Sequence, residues 1–315
     1  MRSERGFALI AALWLLVILS AVGLEFGLRA RARRLAAANV LESSRAVAAA
    51  EAGIAAAHAE LADLIAASGR AGSMDADRRL DPWATWATLP ADTISLGDAR
   101  FHVTLSDPAA RLNLNRADEQ ELRRLFVALR IDAGVADRMA QAIADWRDPD
   151  ELTRGRGAER PDYLRAGALV LPANAPFESP AELRYVKGVT PELYDRVRGS
   201  LTVVGTGRIN LNTASRPVLL ALPGMSEQAA TVLLRRRTSR RPVRSLEDLA
   251  RDLSTGPREA LVDATGRLLP CVVFETRELF ASSEGWTIGS PVRGRVDALF
   301  ARAGDATFLV WRRVW

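Results

Sequence analysis

Six carboxylates fall between residues 145 and 162: Asp145, Asp148, Asp150, Glu151, Glu159 and Asp162, threaded around Gly155 and Gly157. Carboxylate and backbone oxygens on a glycine-containing loop are the donor set that a hard divalent cation requires, since calcium takes about six to eight oxygen ligands in flexible geometry. The spacing is not that of an EF-hand. Arg147, Arg154 and Arg156 are interspersed among the acids, so a solvated acidic loop neutralised by its own arginines is the competing reading.

A second charged group has the opposite sign. In "ALPGMSEQAATVLLRRR" a turn containing Gly224 precedes Arg235, Arg236 and Arg237, with Arg240, Arg241 and Arg244 close behind. Such a cluster could hold a phosphate backbone. The turn is similar to the helix-hairpin-helix of DNA-binding proteins, and with the "INLNTAS" lead-in it resembles membrane-linked competence DNA receptors. Where that turn has a second glycine, however, Ser226 stands here and Thr190 stands in the related "KGVT" turn, placing a side chain where a phosphate would approach. Other chemistry is scarce. Two histidines, His58 and His102, and one cysteine, Cys271, leave little from which to build a catalytic triad or a zinc site. There is no Walker loop, His-Glu-x-x-His motif or nucleophile elbow, and no enzyme is expected.

The elements that position these groups follow from patterning. The chain has 315 residues, 48% hydrophobic and 26% charged, with a formal charge of +5 carried almost wholly by arginine, a profile of folded structure. Proline is absent from residues 1 to 81, and Ala, Leu, Arg and Glu dominate from Ala30 to Ala67. One continuous helix over 7–67 is expected, about 90 Å long at about 1.5 Å per residue, with a break at Ser68-Gly69-Arg70-Ala71-Gly72-Ser73. Its first part, Phe7 to Leu24, is uncharged and apolar on all sides, as a membrane span requires. Its second part is amphipathic, with Val40, Val47, Ile54 and Leu61 recurring every seven residues and His58 beside that stripe.

Thr93 to Leu105 alternates apolar and polar residues about a Gly-Asp turn, which predicts a hairpin. Short helical periods with Ser, Thr or Asp at their starts fill Pro108 to Leu269, and strand patterning returns after Cys271. A helical block thus interrupts one sheet. Within it a phrase occurs twice: Leu112-Asn113-Leu114-Asn115-Arg116-Ala117 and Ile209-Asn210-Leu211-Asn212-Thr213-Ala214. Each reads as a short extended segment whose last polar residue caps the next helix, and together they bracket two similar helical modules.

The amino-terminal order is basic residues, Gly6, Phe7, then the apolar helix. A secretory signal would have a shorter core and a small-residue cleavage site after it, whereas Glu25, Phe26 and Gly27 follow this one. The order resembles the class III leader of type IV pilins and of type II secretion pseudopilins. Most of that family carry a glutamate five residues after the cleavage point, where Ala11 stands here. The subclass that lacks it is the K-type minor pseudopilin (general secretion pathway protein K), which also has a large α-helical insertion. "DWRDPDELTRGRGAERPDYL" (145–164), "SPAELRYVKGVTPELYDRV" (179–197) and "INLNTASRPVLLAL" (209–222) are similar to the same family.

That resemblance implies an α+β, pilin-like fold: a long helix on an antiparallel sheet, with an all-α domain inserted in the sheet. The implied divisions are a prepilin leader (1–6), the transmembrane and amphipathic helix (7–67), the sheet (85–108 plus 271–315) and the inserted domain (109–270). Prepilin peptidase would cut between Gly6 and Phe7 and methylate the new terminus. The implied place is the inner membrane, single pass, with a periplasmic body, although Arg29, Arg31, Arg33 and Arg34 outnumber Arg2 and Arg5 and by charge alone favour the opposite topology. The implied role is at the pseudopilus tip, with I- and J-type minor pseudopilins and other pseudopilins of the system, promoting assembly and protein export without catalysis. Calcium is the implied ligand, with Asp148, Asp150, Glu159 and Asp162 carried over as its site. Arg160-Pro161 departs from the family pattern, which has further acids after Gly-Ala-Glu. The membrane-anchored DNA-binding protein is the alternative function, and nucleic acid is not an expected partner.

Overall fold

The computed structural model describes residues 3–70, 81, 83, 93–304 and 306–315. Helix α1 spans Ser3–Arg70 without interruption, so the backbone passes through Ser68-Gly69 where a break is expected. Residues 71–73 of that break, and residues 85–92 of the expected sheet, lie outside the described residues. From Leu13 to Val22 every large apolar side chain is exposed, Trp14 among them, and the helix is long and apolar enough to cross a membrane.

The hairpin forms as expected, β1 (Ile94–Leu96) and β2 (Ala99–Ser106), joined at Gly97, whose positive φ of 62° suits a residue without Cβ. Beyond β2 the chain enters two successive helical modules. The first opens on β3 (Leu112–Asn113) and continues through α2 (Glu119–Ala128), α3 (Ala133–Arg147), α4 (Arg160–Arg165) and α5 (Pro191–Val197). It closes on β4 (Leu201–Thr202), which pairs parallel with β3. The second opens on β5 (Ile209–Asn210) and runs through α6 (Arg216–Ala221), α7 (Glu227–Thr238), α8 (Leu246–Ala250), α9 (Thr255–Asp263) and α10 (Thr265–Leu268). It closes on β6 (Val272–Val273), again parallel to its opening strand. Both modules share one apolar core.

The repeated asparagines make the two openings alike. Asn113 Oδ1 accepts from Asn115 N at 2.9 Å, and Asn210 Oδ1 from Asn212 N at 3.0 Å. Each second asparagine then grips a distant backbone through both atoms of its amide. Asn115 takes Phe177, N to Oδ1 at 2.8 Å and Nδ2 to O at 2.9 Å, and Asn212 takes Val243 at 2.9 and 2.8 Å. The asparagines are therefore turn formers and clamps, not helix caps. The N-cap positions of the next helices belong to Asp118 and Ser215, and Asp118 accepts from Glu121 N. A buried carboxylate secures the second module to the sheet's exit: Asp107 Oδ2 accepts from Asn210 Nδ2 at 3.2 Å and Thr213 Oγ1 at 2.6 Å.

The chain returns in β7 (Glu278–Thr287), β8 (Gly294–Ala303) and β9 (Ala306–Val314). These complete an antiparallel sheet ordered β1-β2-β7-β8-β9, so the helical modules interrupt it between β2 and β7. The carboxy-terminal half of α1 lies on this sheet. Ile54, Leu61 and Ile65 are buried there with Leu279, Val296 and Phe300, and Val47 packs at the margin, whereas Val40 is 67% exposed. The contact is close because both sides are small. Cross-strand partners Gly285 and Gly294 face Ala46 and Ala50, and a Cβ on Gly285 would come within 2.3 Å of Ala50 N. His58 is half-buried and stacks on Phe300 at 5.1 Å between ring centroids.

Candidate metal centre

The acidic loop begins in the last turn of α3. The amphipathic period of that helix buries Asp145 completely, and the buried carboxylate organises the loop around itself. Asp145 Oδ2 accepts from Ala158 N at 2.7 Å, and Oδ1 from Arg154 Nη1 at 2.6 Å. The loop can lie this close only because residue 157 is glycine: a Cβ there would stand 1.8 Å from Asp145 Oδ2. Trp146 forms the wall beside it, edge-on to Tyr163 at 5.8 Å and stacked on Phe177 at 6.1 Å.

Three of the expected ligands converge. Asp148, Asp150 and Glu159 each offer a carboxylate oxygen within 4.8 Å of the others. Asp148 Oδ2 receives Arg154 Nη1 at 2.5 Å, but Asp148 Oδ1 is buried without a partner, as are both oxygens of the fully buried Glu159. Buried polar atoms in native proteins are nearly always satisfied, and a wholly buried carboxylate without a donor is costly. Burial first, then the charges of Asp145, Asp148, Asp150 and Glu151, push the Glu159 carboxyl up to about 7. Arg154 responds in the opposite sense. Burial would lower its pKa, but hydrogen bonds to Asp145, Asp148 and Glu119 more than offset this and hold it above the usual arginine range.

Asp162, the fourth expected ligand, is turned to other work. Its carboxylate accepts from Glu159 N at 3.1 Å and from Arg165 Nη2 at 2.8 Å, and lies 3.6 Å from Lys187 Nζ. The hydrogen bond from Glu159 N, against a smaller opposing effect of burial, leads in holding its pKa low. Gly6, Phe7 and Ala11 lie along α1, and their side chains fall outside the described residues. Asn174 was not legible as part of this neighbourhood: its Nδ2 donates to the Asp150 carbonyl at 3.0 Å. Its one sequence signal is an asparagine set between Ala-Pro pairs, a turn composition.

Two arginines of the basic cluster are engaged internally. Arg236 spans Asp248 at 2.9 Å and Asp252 at 2.8 Å, and Arg237 donates to the Ala214 carbonyl at 2.7 Å. The turn before α7 packs against protein: a Cβ on Gly224 would meet Ala264 Cβ at 2.3 Å and the Ala260 carbonyl at 2.8 Å. Ser226 and Thr190 cap helices α7 and α5 through the backbone N–H groups of Ala229 and Leu193. The DNA-binding alternative is accordingly not favoured.

A membrane-length helix on an antiparallel sheet interrupted by a helical body defines a pilin-like, membrane-anchored protein. Two family models, both for type II secretion system (T2SS) protein K, match residues 103–206 and 209–265, together half the chain and divided where the modules divide. The chain is 28% identical over 242 residues to type II secretion system protein K of Pseudomonas aeruginosa, covering 72% of this chain and 71% of the relative. It is 34% identical over 125 residues to a putative type II secretion system protein K of Escherichia coli K12, covering 36% of this chain and 38% of that relative's length. The crystal structure of the GspK-GspI-GspJ complex from enterotoxigenic Escherichia coli contains a chain of the same fold, with TM-score 0.55 and 19% identity over 91% of this chain and 99% of that one. The chain belongs to the type II secretion system protein K family, the K-type minor pseudopilins.

Proposed function

We propose that this pseudopilin sits at the pseudopilus tip with I- and J-type partners, starts assembly and so promotes protein export, as a non-catalytic component. The observation that carries this reading is the helical body, residues 107–277, inserted between β2 and β7 of a sheet that otherwise keeps the pilin packing of α1. Such a bulk obstructs a further subunit above it while α1 remains available below. Ala11, where a carboxylate would pair with a neighbour's amino terminus, fits a subunit that has no neighbour beyond it. The structural relative belongs to a GspK-GspI-GspJ complex, which supports the choice of partners by analogy. In this reading prepilin peptidase cuts between Gly6 and Phe7, the new terminus is methylated, and the body lies in the periplasm. The full chain co-expressed with I- and J-type pseudopilins and prepilin peptidase should co-purify as a ternary complex lacking residues 1–6. Retention of Met1, or no complex, contradicts the proposal.

The same reading gives the acidic loop a cation. Asp148, Asp150 and Glu159 would hold it, with Asp162 fixing the Glu159 backbone. The buried, donorless oxygens of Asp148 and Glu159 fit a hard ion, and an all-oxygen set on an irregular loop suits calcium better than magnesium, which demands near-octahedral geometry. The ion would neutralise the surplus charge and tie the loop to α3.

A further inference from the structure

Among the described residues, one buried and unpartnered side-chain oxygen near the acidic loop does not belong to an acid. Asn174 Oδ1 is buried and has no hydrogen-bond partner. Its identity as the oxygen is fixed by chemistry: the other amide atom approaches the Asp150 carbonyl at 3.0 Å, and only the nitrogen can donate to a carbonyl. The amide is therefore anchored to a residue of the carboxylate group, with its acceptor left over. A flip would only set two acceptors against each other. Next to Asp150, one of the three converging acids, an unpaired amide oxygen is an acceptor that a cation would satisfy.

The backbone supports the same conclusion. Asn174 has φ of 46°, in the left-handed region, a conformation that asparagine tolerates better than most residues and that recurs at ligand clamps. Three residues on, Asn115 grips both the N–H and the carbonyl of Phe177, and Phe177 stacks on Trp146 beside Asp145. The segment carrying Asn174 is thus held over the loop by the first module's repeated asparagine.

We infer that Asn174 supplies a neutral amide-oxygen ligand to the cation held by Asp148, Asp150 and Glu159, and that Asn115 is the positioning residue that delivers it. This rests on the proposal that the acidic loop binds a metal. A neutral ligand adds coordination without adding to a charge that the loop already carries in excess.

The test uses the full chain in detergent, titrated with calcium and, separately, with terbium. Asn174→Gly removes the amide but accommodates the left-handed backbone, and Asn174→Asp keeps an oxygen. Asn174→Gly should weaken calcium binding about tenfold, and terbium luminescence decay in H2O and D2O should report one additional bound water. Asn174→Asp keeps a ligand oxygen but loses the donor to the Asp150 carbonyl, and should hold a water count closer to wild type than Asn174→Gly does. An Asn174→Gly protein with unchanged affinity and water count overturns the assignment while leaving the metal reading intact. Wild-type protein that takes up neither ion overturns both.

Discussion

In the second module Arg236 lies between Asp248 and Asp252, at 2.9 and 2.8 Å, and its charge is matched within the chain. In the first, Arg154 reaches Asp145, Asp148 and Glu119 at 2.5 to 2.6 Å, yet Glu159 and one oxygen of Asp148 remain buried without donors. The frame is the same in both: an Asn-x-Asn turn, an asparagine clamp and a closing parallel strand. In the second module an arginine matches its neighbouring acids, with Arg237 Nε the one buried side-chain donor left over among the described residues, whereas the first keeps buried acceptors that an ion would satisfy. Repeated architecture therefore does not carry repeated chemistry. The difference is made by the loop between α3 and α4.

The largest effect that separates the modules is calcium itself. At a hundred times its Kd, a ligand bound only by the folded state adds about 2.7 kcal/mol of stability. Chelator should remove that increment from wild type and leave Glu159→Ala unaffected, as thermal melts in detergent would show. Next is Gly157→Ala, whose Cβ would meet Asp145 Oδ2 at 1.8 Å. Lifting the loop should cost about 2 kcal/mol and abolish calcium binding, measured by urea unfolding and calorimetry.

The clamps sharpen the contrast further. Asn212→Ala frees the Val243 backbone and should cost about 1.5 kcal/mol with calcium affinity unchanged, whereas Asn115→Ala should lose stability and affinity together. A smaller effect is the pH dependence of the metal-free protein. The folded Glu159 carboxyl is pushed up to about 7, above its ordinary range, so the folded state binds the extra proton between about pH 4.5 and 7. Stability from this group is present at the acid end and falls as pH rises through that window, and Glu159→Gln should flatten the slope. Smallest is Arg165→Ala, an exposed partner of Asp162, expected to change stability by less than about 0.5 kcal/mol.

Much of this was readable from residues. Alternation at 93–105 and the proline-free amino terminus specify the hairpin and the long helix, and the return of strand patterning after Cys271 reveals the interruption of the sheet. The convergence of Asp148, Asp150 and Glu159 was legible because they share one loop. Asp162 has the same residue type and spacing, but the need to cap Glu159 N and the proximity of Lys187 turn it away, and spacing does not encode a helix start's claim on a carboxylate. Asn174 was illegible for the opposite reason. Nothing in its local sequence announces a contact with Asp150, which forms across 24 residues in a segment that Asn115 clamps at Phe177 across 62 residues. Arg236 read as available charge because its partners, Asp248 and Asp252, lie on α8 and in the turn after it.

The difference between the modules is tested most directly by hydrogen–deuterium exchange of the full chain with calcium and with chelator. The expected result is calcium-dependent protection confined to residues 145–177, with no change over 209–273. Equal protection in both modules, or none in the first, would contradict it.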